Sequence, residues 1–244
     1  MTTRIAVVTG GGSGIGRATC TRLTADGFTL AVLDVDGEAA KVAAGPDGLG
    51  CAADVADGHA VDTAFAQVVE AFGRIDVLVN NAGVSGTVDA TICHETTVEE
   101  WDRVLAINTR GPFLCARAAL PVMLAQGSGH IITVASVAGQ VAFPGRCAYT
   151  ASKGAALMFA KSLAADYAAA GIRSNAVCPG FVRTPMTQWR LDVPELREQV
   201  EARIPTGRVA EPDDIADAIA VLASGRLGYM TGAALVVDGG WTVL

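Results

Sequence analysis

Short β-branched runs alternate with longer amphipathic stretches along the chain, a pattern typical of parallel strands joined by crossover helices. Several of the runs are apolar at nearly every position, as expected when helices cover both faces of a sheet. The predicted strands are Arg4–Thr9, Thr29–Asp34, Leu49–Ala53, Asp76–Asn80, His130–Ser136, Arg173–Cys178 and Ala234–Asp238. The predicted helices are Gly14–Asp26, Gly58–Phe72, Val98–Asn108, Pro112–Gln126, Ala148–Ala170 and Pro212–Ser224. We therefore predict an α/β fold with a doubly wound, parallel sheet of about seven strands.

Residue types at the ends of these elements support the pattern. Two features do not fit it: a proline inside a predicted helix and a long segment with weak periodicity. Asp57 and Thr97 are N-cap candidates, and Thr97 has the capping-box spacing with Glu100. Pro121 lies inside a predicted helix, which it should kink or end early because proline has no amide hydrogen. The segment Arg183–Arg208 shows weak periodicity and is too long for a simple connection, so we predict that it forms a lid.

The composition indicates one domain over residues 1–244. Hydrophobic residues make up 51% and charged residues 18% of the chain, so it can bury enough apolar surface to offset the entropy of folding. A formal net charge of −7 opposes binding to nucleic acid or to anionic membrane surfaces. We see no apolar run long enough for a signal-peptide core or a spanning helix, and we expect no membrane association.

Cysteine and histidine spacing bears on redox compartment and metal binding. The six cysteines are spread along the chain without a C-x-x-C pair, which indicates buried free thiols in a reducing compartment, by default the cytoplasm. The three histidines are isolated in sequence, so we predict no metal site.

A glycine-rich turn follows the first predicted strand and opens a helix. Glycine lets the backbone approach a ligand closely, and the helix N-terminus offers free N–H groups to a pyrophosphate. The spacing is T-G-x-x-x-G-x-G rather than G-x-G-x-x-G, and a merely flexible strand-to-helix turn is the alternative. The candidate phosphate-binding residues are Gly10, Gly12, Ser13, Gly14, Ile15 and Gly16. They predict a Rossmann-type dinucleotide site.

Asp34 closes the second predicted strand, where a carboxylate can accept hydrogen bonds from the adenosine ribose hydroxyls. The same carboxylate would repel a 2′-phosphate by about 1–4 kcal/mol. Neither Ser13 nor Val35 supplies a compensating cation, whereas Arg17 is either such a cation or a solvated helix charge. Asp34 therefore favours NAD over NADP as the cofactor.

Tyr149 and Lys153 lie one helical turn apart, so phenol and ammonium share a helix face. A phenol with a pKa of about 10 is a poor base at neutral pH, but a nearby ammonium and a cationic nicotinamide both favour the phenolate. Tyr149 can then take the proton of an alcohol. The alternative is an ordinary amphipathic helix with a half-buried tyrosine and a snorkelling lysine.

These residues occur in order with further short motifs, and the ordered set resembles the short-chain dehydrogenase/reductase family over essentially the whole chain. The matching motifs are the Thr9–Gly16 turn, Asp54-Val55, Asn80-Asn81-Ala82-Gly83, Asn108, Ser136, Tyr149-x-x-x-Lys153 and Pro179-Gly180. The resemblance implies an oxidoreductase that moves a hydride between a nicotinamide and a secondary alcohol or ketone.

The resemblance also implies roles for four catalytic residues. Ser136 would hydrogen-bond the substrate oxygen and stabilise developing negative charge, and Tyr149 would act as the general acid/base. Lys153 would bind the nicotinamide ribose and lower the pKa of Tyr149. Asn108 would position a water that relays protons from Lys153 to solvent. Taken alone, Ser136 and Asn108 would be ordinary capping or turn residues.

The remaining cofactor contacts depend on the same resemblance. Asp54 would accept a hydrogen bond from the adenine amino group, with the Val55 N–H beside it. The adenosine ribose would lie against Asn81, Ala82 and Gly83. The nicotinamide would lie against Pro179, Gly180, Val182 and Thr184. Asn80 would be structural and tie neighbouring strand ends together.

The substrate pocket is expected between residues 137–147 and the predicted lid. Its apolar lining candidates are Val141, Phe143, Met186 and Trp189, which favour a hydrophobic or modest-sized alcohol or ketone. Arg146 would either grip an anionic group or serve as a rim charge.

Three other functions stay open at this point. The first is a 3-oxoacyl-(acyl carrier protein) reductase, against which Asp34 argues because that enzyme usually prefers NADPH. The second is a sensor or scaffold that binds NAD without turnover, which a lost tyrosine or lysine would support. The third is an epimerase or dehydratase, which normally has a longer C-terminal substrate region. Apolar helices at residues 112–126 and 148–170 lead us to expect a homotetramer.

Overall fold

Seven parallel strands form one sheet in the computed structural model, which describes residues 3–87 and 91–243. The strand order is β3-β2-β1-β4-β5-β6-β7. The strands are β1 (Arg4–Thr9), β2 (Phe28–Asp34), β3 (Leu49–Ala52), β4 (Val77–Asn80), β5 (Gly129–Val134), β6 (Ile172–Pro179) and β7 (Ala234–Val237). The α-helices are α1 (Gly14–Ala25), α2 (Gly37–Ala44), α3 (Gly58–Phe72), α4 (Val98–Leu105), α5 (Gly111–Gln126), α6 (Cys147–Tyr167), α7 (Pro185–Leu191), α8 (Pro194–Glu201) and α9 (Pro212–Ala223). The predicted doubly wound α/β sheet is confirmed.

The central strand β1 is apolar on both faces because each face packs on a different set of helices. Val7 belongs to a core shared with α3 and α5. Its neighbours Ala6 and Val8 belong to the opposite core, shared with α1 and α9. Successive strand residues point to opposite faces, so a strand covered on both sides is a continuous apolar run.

The sheet has a topological switch point between β1 and β4. From β1 the chain builds outward through β2 and β3, and it then returns to β4 on the other side of β1. Loops that leave β1 and β4 therefore diverge and open a crevice at the carboxyl ends of the strands. The predicted glycine turn lies at that crevice.

Three helices were not predicted from the sequence. The N-cap residue of α2 is Asp36, whose carboxylate accepts hydrogen bonds from the backbone N–H groups of Glu38 at 3.1 Å and Ala39 at 3.0 Å. Helices α7 and α8 each carry a proline in their first turn, Pro185 and Pro194, where proline is well tolerated. The predicted lid is thus largely helical.

Within residues 98–126 the structure has no helix end at Pro121 and no gap between the two predicted helices near residue 109. Helix α5 continues through Pro121. Proline has no N–H, so the carbonyl group of Arg117 loses its hydrogen-bond partner in the helix. Arg117 and Pro121 are both exposed, so water can hydrogen-bond that carbonyl group. The break predicted near residue 109 is a five-residue π-helical turn, Ala106–Arg110, that joins α4 to α5. Residues 98–126 therefore form one continuous helical run.

The predicted caps are confirmed in part. Asp57 caps α3 by accepting from the N–H groups of His59 and Ala60, and Thr97 caps α4 by accepting from the N–H of Glu100. The carboxylate of Glu100 instead accepts a hydrogen bond from the N–H of Thr87 at 2.7 Å. Glu100 therefore holds the segment that follows β4.

The described cysteines are free, and four of them are buried as predicted: Cys20, Cys51, Cys115 and Cys178. The prediction was wrong for Cys93, which is exposed, and Cys147 is half-buried. Across residues 3–87 and 91–243 there is no grouping of three metal-binding side chains. No helix within those ranges has the length and apolar character needed to cross a bilayer.

A buried histidine ties the sheet to α9. Nδ1 of His130 lies 3.1 Å from the carbonyl oxygen of Leu222, and Nε2 lies 2.9 Å from Nδ2 of Asn175. The neutral ring therefore donates at Nδ1 and accepts at Nε2. Burial, with a smaller contribution from the charge of Arg173, lowers the pKa of His130 to about 3.

This network predicts acid sensitivity. Unfolded His130 binds a proton near pH 6.5, whereas the folded protein excludes it until about pH 3. The free energy of unfolding should thus fall by about 1.4 kcal/mol for each pH unit below about 6. Denaturant titrations at several pH values should show this slope reduced in His130→Gln and kept in His94→Gln, whose side chain is exposed. An unchanged slope in His130→Gln contradicts the assignment.

Candidate active site

A cleft of about 680 Å³ opens at the carboxyl ends of the central strands. Most of the residues predicted from the sequence line it. They are Gly10, Ser13, Gly14, Ile15, Asp34, Asp54, Val55, Asn81, Ala82, Gly83, Ser136, Tyr149, Lys153, Pro179, Gly180, Val182 and Thr184. The other three, Gly12, Gly16 and Asn108, lie just behind the lining residues.

The glycine turn is shaped by contacts that exclude side chains. Gly10 and Gly14 have φ angles of +64° and +50°, a region that L-residues with a Cβ rarely adopt. A Cβ on Gly16 would lie 2.0 Å from the carbonyl oxygen of Gly10, so α1 can approach the turn only with glycine there. Ser13 is the N-cap of α1, and the first residues of the helix, Gly14 and Ile15, line the cleft.

Asp34 is held at the wall of the cleft by two backbone amides. One carboxylate oxygen accepts from the N–H of Gly12 at 2.9 Å, and the other accepts from the N–H of Asp36 at 3.0 Å. A Cβ on Gly12 would lie 2.9 Å from the carboxylate. The glycine turn and the carboxylate are therefore parts of one rigid unit.

The tie between strand ends is made by Asn81, not by Asn80 as predicted. Nδ2 of Asn81 donates to the carbonyl oxygens of Thr9 and Gly10, both at 3.0 Å. Asn80 instead points away and donates to the carbonyl oxygen of Pro112 at 3.5 Å. One residue of difference matters because successive side chains leave a strand on opposite faces.

Ser136, Tyr149 and Lys153 converge from two elements. Ser136 follows β5 and caps a short 3₁₀ turn by accepting from the N–H of Ala138 at 3.0 Å. Its side chain lies close enough to that of Tyr149 to lower the pKa of the phenol. Nζ of Lys153 donates to the carbonyl oxygen of Val134 at 2.9 Å. It lies 5.7 Å from the centroid of the Tyr149 ring.

The pKa values of this cluster are governed by burial. Burial raises the pKa of Tyr149, although the hydrogen bond from Ser136 and the charge of Arg146 act in the opposite direction. Burial lowers the pKa of Lys153 to about 8. Desolvation outweighs these opposing effects. A lowering of the Tyr149 pKa by Lys153 is expected beside a bound cationic nicotinamide, and it stays a prediction.

Asn108 lies in the π-helical turn, and both amide hydrogens of its side chain have acceptors. Its Nδ2 donates to the carbonyl oxygen of Val84 at 2.8 Å and to Oγ of Ser152 at 3.0 Å, and its Oδ1 accepts from the N–H of Val84 at 2.8 Å. A Cβ on Gly83 would lie 3.2 Å from this oxygen and 3.5 Å from Nζ of Lys153. Asn108 thus fixes the strand-end segment that passes the lysine.

The substrate side of the cleft was only partly predicted. Met186 and Trp189 line it, as expected. Val141 and Phe143 are not among its lining residues. Phe143 stacks on Trp241 instead, and Val141 is exposed. Arg146 does line it.

Sequence reasoning missed the segment 84–87, which lines the cleft, and Arg190, which lies beside Trp189 but is not among the described residues that line it. The charge of Arg190 acts on Arg146, and both guanidinium groups approach the ring of Trp189, at 6.0 Å for Arg146 and 5.4 Å for Arg190. Nη1 of Arg146 donates to the carbonyl oxygens of Ser85 at 3.4 Å and Thr87 at 2.5 Å. The one available signal for Arg190 was its place beside Trp189 in the predicted lid.

Comparison with known proteins agrees with this geometry. A family model described as "Enoyl-(Acyl carrier protein) reductase" matches residues 10–242. The chain is 52% identical over 248 residues to 2-(R)-hydroxypropyl-CoM dehydrogenase of Xanthobacter autotrophicus, covering 99% of both chains. It is 39% identical to a 3-oxoacyl-[acyl-carrier-protein] reductase of Staphylococcus aureus, covering 98% of both. The crystal structure of levodione reductase superposes with a TM-score of 0.92 and 35% identity, covering 100% of this chain and 99% of the other.

Together with the seven-stranded parallel sheet, these relatives define an oxidoreductase that uses a nicotinamide cofactor and acts on CH–OH groups. A sequence identity of 52% over nearly the whole length shows membership of a protein family and not only a shared fold. The chain belongs to the short-chain dehydrogenase/reductase family.

Proposed function

We propose that this protein is an NAD-dependent dehydrogenase that interconverts a secondary alcohol and its ketone, with Tyr149 as general acid/base and an anionic group on the substrate. The observation that carries the proposal is the meeting of Ser136, Tyr149 and Lys153 at one end of a dinucleotide-sized cleft.

The cleft fits a nicotinamide dinucleotide. A pyrophosphate would lie on the Gly10–Gly16 turn, which leaves no room for side chains, and Asp34 would accept from the adenosine ribose. Asp54 and Val55 would contact the adenine, and the adenosine ribose would lie against Asn81, Ala82 and Gly83. The nicotinamide would lie against Pro179, Gly180, Val182 and Thr184. When bound, the cofactor accepts or supplies the hydride.

NAD is favoured over NADP by the fixed position of Asp34. Its carboxylate is anchored by two amides, so it cannot easily turn away from a 2′-phosphate. Arg17 is exposed and is absent from the lining of the cleft among the described residues. Repulsion of a 2′-phosphate would therefore go uncompensated.

Proton transfer centres on the hydroxyl of Tyr149. Ser136 and Tyr149 would both hydrogen-bond the substrate oxygen, and Ser136 would stabilise the charge that develops there. The raised pKa of Tyr149 keeps the phenol protonated and suited to donate a proton during ketone reduction. Alcohol oxidation requires the phenolate, which the cations of Lys153 and oxidised nicotinamide would favour. Lys153 would also bind the nicotinamide ribose, and Asn108 would support a water leading from it.

An anionic substrate group is supported by the pair Arg146 and Arg190. Nη1 of Arg146 is committed to two backbone carbonyls, and the other donors of its guanidinium have no acceptor within residues 3–87 and 91–243, which makes them candidates to bind a ligand. Burial and the charge of Arg190 lower the pKa of Arg146, so an anion between the two would relieve their repulsion. The name of one further relative agrees with this: a protein that is 40% identical over 247 residues is a cis-4-hydroxycyclohexanecarboxylate dehydrogenase, and that compound is a carboxylate.

The competing functions are less well supported. A 3-oxoacyl reductase is favoured by one relative's name, but Asp34 opposes NADPH. A sensor without turnover would not need the intact tyrosine and lysine that line the cleft.

Residues 1–244 would act as one domain in the cytoplasm, with 183–208 as a lid over the substrate. A Cβ on Gly14 would lie 3.3 Å from Thr184, so the start of this segment already touches the phosphate turn. We also propose a homotetramer, because Phe113 on α5 and Met158 on α6 are exposed and apolar helix faces commonly form interfaces. Nucleic acid, membrane and metal play no part in the proposal.

The acid/base role is tested with Tyr149→Phe. Turnover followed by NADH absorbance, with a panel of secondary alcohols and ketones, should fall by about 100- to 10,000-fold. NADH binding measured by fluorescence should persist, and Tyr229→Phe, at a fully exposed tyrosine, should stay active. Undiminished turnover in Tyr149→Phe refutes the mechanism.

The cofactor preference is tested by steady-state kinetics with both dinucleotides. The ratio kcat/KM should favour NAD by about tenfold or more. Asp34→Asn keeps the shape of the side chain and removes its charge, so the preference should shrink. A wild-type preference for NADP is incompatible with the role given to Asp34.

The anion site is tested with Arg146→Gln and Arg190→Gln. Each should raise KM for a carboxylate- or sulfonate-bearing substrate by about 10- to 100-fold, as expected for a charge-assisted hydrogen bond. KM for a neutral analogue of equal length, and both KM values in Arg226→Gln, should hardly change. An equal rise for acidic and neutral substrates means that Arg146 only holds the segment 85–87.

A further inference from the structure

The turn after β7 carries an aromatic stack that joins two separate parts of the chain. The ring of Trp241 stacks on Phe143 with centroids 5.7 Å apart and an interplanar angle of 20°. It also stacks on Phe181, at 6.2 Å and 9°. The guanidinium of Arg203 lies 5.5 Å from the centroid of the Trp241 ring. Trp241 is thus held between three side chains that are distant in sequence.

We propose that Trp241 is a positioning residue that holds the substrate loop, residues 137–147, at a fixed distance from the lid segment, residues 183–208. This inference rests on the proposed function, since it concerns the substrate side of the same site. Trp241 is not among the described residues that line the cleft, so it would act through its neighbours.

The turn that presents Trp241 is rigid. The carboxylate of Asp238 accepts from the N–H groups of Gly240 and Thr242, both at 2.8 Å, and from the hydroxyl of Thr242 at 2.7 Å. Gly239 and Gly240 have φ angles of +64° and +92°, which permit the tight turn. The backbone that carries the indole of Trp241 is therefore held in one conformation.

The lid segment contacts the turn that carries Trp241, residues 238–242. The N–H of Thr206 donates to the carbonyl oxygen of Gly239 at 3.1 Å. A Cβ on Gly239 would lie 2.7 Å from Ile204, and one on Gly240 would lie 2.9 Å from Pro205. Trp241 and Phe181 also pack on a small apolar cluster formed by Leu191, Val200, Ile204 and Val209. Helix α7, through Leu191, and helix α8, through Val200, therefore pack in the same cluster as Trp241.

The substrate loop is attached through Phe143. Phe143 lies three residues before Arg146, the N-cap of α6, and both flanking residues of the loop, Ala142 and Pro144, are exposed. The Phe143 ring is thus a main contact that fixes this stretch, and its position sets that of Arg146 and the start of the helix bearing Tyr149. On the opposite wall, α7 carries Trp189.

The stack is separate from the two main cores of the sheet. Trp241 belongs to the small cluster under the lid segment and not to the clusters that pack on either face of the sheet. Removing the indole should therefore loosen the two cleft walls while leaving the sheet and the glycine turn intact. The expected loss is in substrate handling rather than in dinucleotide binding.

The kinetic test compares Trp241→Ala, Trp241→Phe and the control Val243→Ala, which changes an exposed residue directly after the turn that carries Trp241. Trp241→Ala should lower kcat/KM for the ketone by about 10- to 100-fold, because small misplacements of positioning groups have effects of this size. KM and Kd for the dinucleotide should stay within about twofold of wild type. Trp241→Phe should recover most of the loss, and Phe143→Leu should reproduce it.

Hydrogen exchange gives a readout that does not need turnover. Trp241→Ala should exchange faster in residues 137–147 and 183–208, with β1 and α1 unchanged. If wild type turns over none of the test substrates, the proposed function fails while this measurement still decides the positioning role. Unchanged exchange in both segments, or unchanged kcat/KM in an active Trp241→Ala, overturns the inference. Loss of dinucleotide binding in a folded Trp241→Ala also overturns it. If Trp241→Ala does not fold, Trp241→Leu repeats the test.

Discussion

A buried lysine cation constrains the geometry of the whole cleft. An ammonium group removed from water must be compensated by acceptors, and Lys153 finds one in the carbonyl oxygen at the end of β5. Its Nζ also lies next to Gly83 after β4, where a Cβ would be 3.5 Å away. Asn108 in turn pins the segment after Gly83. Two strand ends, a helix and a π-helical turn are therefore fitted around one charge.

The sheet could be predicted from the sequence because strands covered on both faces are continuous apolar runs. The positions of the five inner strands follow from that property, whereas the edge strands β3 and β7 are only partly buried. The glycine turn could be predicted because α1 can approach it only where residue 16 has no Cβ. The helices α2, α7 and α8 were missed because they are short, with seven or eight residues each. Periodicity is weak over so few turns, although the cap at Asp36 and the prolines at the starts of α7 and α8 were available signals.

The composition of the site was more predictable than its internal contacts. Residue types and order sufficed to bring Ser136, Tyr149 and Lys153 into one cleft. Two details depend on packing between segments far apart in sequence. Asn81 rather than Asn80 ties the strand ends together, and Phe143 stacks on Trp241 instead of lining the cleft. The direction of the Tyr149 pKa likewise depends on desolvation, which spacing along a helix does not reveal.

The π-helical turn at Ala106–Arg110 has a consequence for how this chain can vary. Each residue added to or removed from a helix rotates everything beyond it by about 100°. Loss of one residue here would restore a regular α-helix and swing Asn108 away from Val84. Insertions and deletions in the run from Val98 to Gln126 should accordingly be poorly tolerated, even at its exposed positions, whereas substitutions there preserve the phase of the helix.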